Sequence, residues 1–244
     1  MSGNDVSVVL AHGAWADGSS WSKVIVALQA KGVTTIAAPL PLTSLSDDVV
    51  ALDRAAERVE GKIVLVGHAY AGAVIGSTRN QRVKSLVYVA GLAPAEGETV
   101  ADVFYRATPH PQAPKLAPDD HGLIWLPSDA FATAFAQNAS HQEHALLSAV
   151  QRPISPDCIS VAVERPLWED RPSWFLIAEQ DRMIVQETQR FMAGRMKASV
   201  RSHPVDHTPL VTAPAVVVDL ILEAVHDKAL CPNAPNPLKR FHFQ

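Results

Sequence analysis

His207 is set in Val205-Asp206-His207-Thr208-Pro209, and Asp181 ends Ala178-Glu179-Gln180-Asp181. A histidine that follows an acid from a preceding segment is the arrangement that general-base catalysis uses, the carboxylate orienting the imidazole. Upstream of both, Val64-Leu65-Val66 runs into Gly67-His68-Ala69-Tyr70-Ala71-Gly72, a β-branched run entering a sharp turn of small residues. Such a turn lifts its central residue to the carboxyl edge of a sheet, where a nucleophile would meet the amino end of the following helix. The central residue here is Ala69, which has no nucleophilic atom. A plain strand-to-helix turn would read similarly, and an isolated Asp or His in a loop is more often a turn former or a satisfied polar residue. The joint order of nucleophile position, acid and histidine is what argues against coincidence. Glu179 and Asp206 stay open as substitutes for Asp181.

His12-Gly13-Ala14-Trp15 follows the first apolar run. A loop there would present the N–H of Ala14 to a developing oxyanion, with the N–H of Tyr70 as second donor. Phe131, Phe135, Tyr105, Trp125 and Trp168 are expected to line an apolar substrate pocket together with Gly13 and Trp15. The helical spacing of Phe131 and Phe135 fits simple packing equally well.

Alternating strands and helices must position these groups. Val6–Ala11, Val33–Ala37, Ile63–Val66, Val83–Val89, Ser173–Ala178 and Ser199–Ser202 read as strands. Helices are expected from the Ser19-Ser20 cap to Gly32, from Ser46 to Gly61, after Gly72, near Val185 to Met196, and from Pro214. This alternation predicts an α/β protein with a mostly parallel, doubly wound sheet. It stops at Gly91. Residues 92–171 are rich in proline, with short helical pieces at Asp129–Gln137 and His141–Val150, and read as a helical lid inserted into a core of residues 1–91 and 172–230. Residues 231–244 read as a tail.

The chain has 244 residues, 48% of them hydrophobic and 19% charged, which suits one core with an insertion. A formal charge of −4 offers no basic field for nucleic acid. Two cysteines, Cys158 and Cys231, make no disulfide framework, and no apolar run approaches the roughly 20 residues of a membrane span. A cytoplasmic protein acting on a small molecule is expected, with a homodimer left open. Neither metal-ligand spacing nor a dinucleotide or phosphate loop occurs, so no metal and no organic cofactor is expected.

From about Val6 to Val225 the chain resembles the α/β-hydrolase superfamily, and within it compact bacterial esterases related to plant methyl-salicylate esterases and hydroxynitrile lyases. The likeness rests on His12-Gly13-Ala14-Trp15, Gly67-His68-x-Tyr70-x-Gly72, Gln151-Arg152-Pro153, Asp181-Arg182 and His207. It implies an α/β-hydrolase fold and cleavage of a carboxylic ester or lactone by a serine, an acid and a histidine. The lyases carry threonine and lysine where this chain has Gly13 and Thr208, so the ester-cleaving branch is nearer. The family has serine where Ala69 stands. Intact partners favour a serine replaced by design over a natural loss, with a ligand receptor or a His207-based proton-transfer enzyme as the other readings.

Overall fold

The computed structural model describes residues 6–227; the expected tail at 231–244 lies outside them. Six parallel strands form one sheet: β1 (Val6–Ala11), β2 (Thr35–Ala38), β3 (Lys62–His68), β4 (Val83–Val89), β5 (Ser173–Ala178) and β6 (Ser199–His203). Their order is β2-β1-β3-β4-β5-β6, with the chain reversing direction of growth at β1. The central strands are apolar on both faces because helices cover both, and Val8, Val9, Leu10, Val64, Val66, Val87 and Leu176 are fully buried.

α1 (Ser22–Ala30), α2 (Leu45–Ala56), α3 (Ala71–Ser77), α6 (Gln186–Arg195) and α8 (Pro214–His226) are the helices that pack on the sheet. Between β4 and β5 lie α4 (Val100–Phe104) and α5 (His141–Val150), and α7 (Pro209–Thr212) precedes α8. Two helix starts differ from expectation. Asp17, rather than Ser19 or Ser20, caps a short 3₁₀ turn at Gly18–Trp21 by accepting from the Ser19 N–H at 2.8 Å, and α1 follows it. Ser44, rather than Ser46, caps α2 by accepting from the Asp47 N–H, which leaves Asp47 and Asp48 in the first turn where the helix dipole favours negative charge.

The expected helix at Asp129–Gln137 is one π turn, Phe131–Phe135, closed by the Ala136 N–H donating to the Phe131 carbonyl at 2.9 Å. α5 has the expected bounds, its capping box made by Ser140 and Glu143. Ile124 bridges both Pro118 and Ile154, which ties the long loop at 107–123 to the segment before the Pro156–Cys158 turn.

Candidate active site

β3 ends at His68, paired with Val89 of β4, and Ala69 is the first residue beyond the sheet. Its φ is +49°, a left-handed conformation that costs an alanine about 1–2 kcal/mol. Three hydrogen bonds hold it: its N–H donates to Val89 at 3.2 Å, and its carbonyl accepts from Gly72 at 3.0 Å and Leu92 at 2.9 Å. The two flanking glycines are there for space. A Cβ on Gly67 would stand 2.6 Å from the Ala71 carbonyl oxygen, and one on Gly72 would stand 2.5 Å from that of Leu92. Strand, turn and helix can approach this closely only without those side chains.

Asp181 follows β5 and His207 follows β6, so both arrive at the same carboxyl edge. His207 Nδ1 and Asp181 Oδ2 are 2.8 Å apart, both side chains almost fully buried. The other oxygen, Oδ1, accepts from the N–H groups of Met183 at 2.7 Å and Ile184 at 2.8 Å. Gln189 of α6 donates to Asp181 Oδ2 at 2.9 Å and to the Ile184 carbonyl, while its own oxygen accepts from Ala178. This carboxylate is fixed from three sides. Asp206 is committed elsewhere, accepting from Asn138, Thr208 and Thr212, and Glu179 accepts from Ser202 on the surface. Of the three acids, Asp181 is the one paired with His207.

Ala69, Tyr70, Ala14, Trp15 and His207 all line one cavity. The N–H groups of Ala14 and Tyr70 donate to nothing among the described residues, as groups reserved for a ligand oxygen would. Trp15 is held in place by its N–H on Arg152, 3.1 Å, and its indole N–H on Ile124, 3.0 Å. That explains why the Gln151-Arg152-Pro153 segment accompanies the site, Gln151 in turn accepting from Leu126 at 3.2 Å.

The aromatic residues divide. Trp15 and Tyr105 line the cavity; Gly13, Trp125, Phe131, Phe135 and Trp168 do not. Gly13 is packed against His68 and Ala69. Phe131 and Phe135 are buried edge-to-face on each other, with Phe135 also against Trp15, His68 and His207, so they support the site from behind. Trp125 points to solvent with its indole on Asp119. Trp168 bonds the Pro94 carbonyl at the far end of α3. Phe131 and Phe135 sit in a single π turn and Trp168 in a short 3₁₀ turn, where side-chain direction follows tertiary contacts and not α-helical spacing.

The cavity wall is otherwise apolar, including Leu92, Val100, Ile124, Ile154 and Ile159, and His207 is the imidazole that lines it. His68 lies behind it, its Nε2 2.7 Å from the His207 carbonyl oxygen. Burial, and then the neighbouring His207, push His68 down to about 3, so it is neutral and donates this bond. His12 is also lowered, by burial; its Nε2 accepts from Leu40. Beneath the cavity floor Asp48 is buried without a cation. It accepts from the Tyr70 hydroxyl at 2.6 Å and from the Leu42 N–H at 2.8 Å, with the Cys158 thiol at 3.7 Å. Burial raises the Asp48 carboxyl, the Tyr70 phenol, and the Cys158 thiol, the last to about 12. Gln189, Asp48 and Cys158 were not apparent from sequence.

Residues 8–220 match the model of the "Alpha/beta hydrolase family". The chain belongs to that family. No curated protein matches it, whereas solved structures of the same fold do. A serine-to-alanine variant of a pyrethroid hydrolase aligns at TM-score 0.78 and 20% identity, covering 89% of this chain and 96% of that one. Polyneuridine aldehyde esterase aligns at 0.73 and 17%, covering 89% and 98%. Tomato methylketone synthase I, a histidine-to-alanine variant complexed with beta-ketoheptanoate, aligns at 0.75 and 18%, covering 89% and 96%. Among the described residues no three His, Cys, Asp or Glu gather into a metal-binding group, and no helix is long and apolar enough to cross a membrane.

Proposed function

We propose that this chain carries the site of a carboxylic ester or lactone hydrolase of the serine type in a form that binds substrate without turning it over, alanine at 69 replacing the nucleophilic serine. The observation that carries the reading is that Ala69 keeps the strained backbone of a nucleophile position, φ +49°, in one cavity with the buried His207–Asp181 pair. Leu42, Ala90 and Lys197 share that backbone conformation, but Ala69 alone of these combines it with a place in the cavity beside His207. Residues 92–171 act as the lid over this site, and the apolar wall selects uncharged substrates.

With a serine at 69, His207 would take the hydroxyl proton as the oxygen attacks the ester carbonyl, and the Ala14 and Tyr70 amides would hold the oxyanion. His207 would then give the proton to the departing alcohol. Water, activated by the same imidazole, would release the acid. Loss of such a nucleophile costs on the order of 10⁶ in turnover. Ala69→Ser is therefore expected to raise hydrolysis of short-chain and aromatic esters or lactones by at least about 10³. A folded variant with no gain on any of them sinks the proposal.

A second reading is favoured by the cavity's holding one imidazole and two free N–H donors with no nucleophile. Those groups suffice for proton transfer. A β-keto acid bound with its ketone oxygen on the amides would lose CO₂, the electrons of the broken carbon–carbon bond passing into an enolate. His207, having first taken the proton of the carboxylic acid, would return it to the α-carbon. Methylketone synthase, with its bound β-keto acid, has the same fold and makes this class of substrate worth testing. CO₂ release by the chain with Ala69 in place, abolished in His207→Ala, would support this reading over the first.

A further inference from the structure

Four cavity residues, Phe104, Tyr105, Leu116 and Met183, also wall a second, smaller space on the side away from Ala69. Pro109, Ala113, Pro114 and Val185 close its far side. Its lining side chains carry no charge, and the partition is made of side chains with no hydrogen bond between them. The Tyr105 ring meets Phe104 edge-on at 4.9 Å and is 57% exposed. Met183 is the fixed end of the partition, because its N–H is held by Asp181.

We propose that the second space is an extension of the substrate site: it takes the distal hydrocarbon of an elongated, uncharged acyl or alcohol group whose carbonyl lies at Ala69. This rests on the hydrolase reading for the carbonyl end alone. Three features carry it. The two spaces have Phe104, Tyr105, Leu116 and Met183 in common, so they lie side by side, and a ligand extending past those side chains would enter the second. Nothing charged in either space compensates a charged tail, which would lose its hydration there. Most of the far side belongs to the loop at 107–123, through Pro109, Ala113 and Pro114, and Leu116 of the same loop lines the first cavity as well. The ligand class is thus medium-chain and neutral, long enough to reach past the shared side chains.

Ala69 allows binding to be measured without turnover. Methyl butyrate and methyl decanoate titrated into the chain as it stands by calorimetry should differ by at least tenfold in affinity, since each buried methylene contributes about fourfold. Ala113→Phe, which fills the second space from its far side, should close that gap, and Pro109→Trp supplies the same block from an exposed loop position if the first variant does not fold. Equal or absent binding of the two esters, or a gap that survives both blocks, overturns the proposal. The two readings fail separately. If Ala69→Ser hydrolyses methyl butyrate and the affinities are flat, the chamber falls and the hydrolase stands. If Ala69→Ser hydrolyses neither ester while the blockable gap is present, the hydrolase falls and the chamber stands.

Discussion

Gln189 is the residue whose position says most about how the site is held. It bonds at once to Asp181, to the Ile184 carbonyl and to the Ala178 N–H, from within a buried helix face. In an Ala69→Ser background, Gln189→Leu is expected to lower kcat by about 10-fold to 100-fold with little change in KM, because the imidazole's partner loses one support while the cavity wall is untouched. A change confined to KM would show that Gln189 serves binding. His207 and Asp181 were legible from their order after the Gly67–Gly72 turn, since each sits in the short loop after a strand. Gln189 was not, because a glutamine in a helix carries no mark of what its amide meets eight residues back. The Asp48–Tyr70–Cys158 group is the same case at longer range, assembled from α2, the elbow and the turn before Ile159.

The elbow is the element on which the rest depends, and it is built from the contact of α3 with the loop that follows β4. A Cβ on Gly72 would strike two backbone atoms of Leu92, the oxygen at 2.5 Å and the nitrogen at 2.9 Å. Since Leu92 in turn donates to the Ala69 carbonyl, neither side can retreat freely. Gly72→Ala is expected to lower stability by about 1–3 kcal/mol, read as a fall in the urea midpoint at unchanged slope; an unaltered midpoint would show that the elbow yields. The strands around it were readable as β-branched runs, and β4 and β5 fall on the expected bounds. Helix starts were less so. Ser19, Ser20 and Ser46 are all plausible caps by type, and the choice of Asp17 and Ser44 came from where the chain enters from the sheet. The π turn at Phe131–Phe135 follows from packing of both rings behind His207, which periodicity alone cannot reveal.

Across the whole molecule, His12 and His68 are buried neutral, and this sets a pH dependence on the fold. Their folded pKa values lie below the ordinary 6.5, that of His68 at about 3, so the unfolded chain takes up these protons first as pH falls. Their contribution is complete above pH 6.5 and is lost on acidification toward 3. Asp48, raised by burial, acts in the opposite sense above 3.8, holding its proton longer in the folded state. The urea midpoint should fall from pH 7.5 to pH 4.5, and less steeply in His68→Gln, which keeps a donor for the His207 carbonyl. An unchanged slope in that variant would assign the acid sensitivity elsewhere. On the proposed reading, this site lacks one hydroxyl and nothing else. Intact-mass measurement of Ala69→Ser after exposure to an uncharged fluorophosphonate tests it most directly. One phosphonyl adduct is expected, located at residue 69, absent in the parent chain and lost when His207→Ala is added. A folded Ala69→Ser protein that stays unmodified would contradict it.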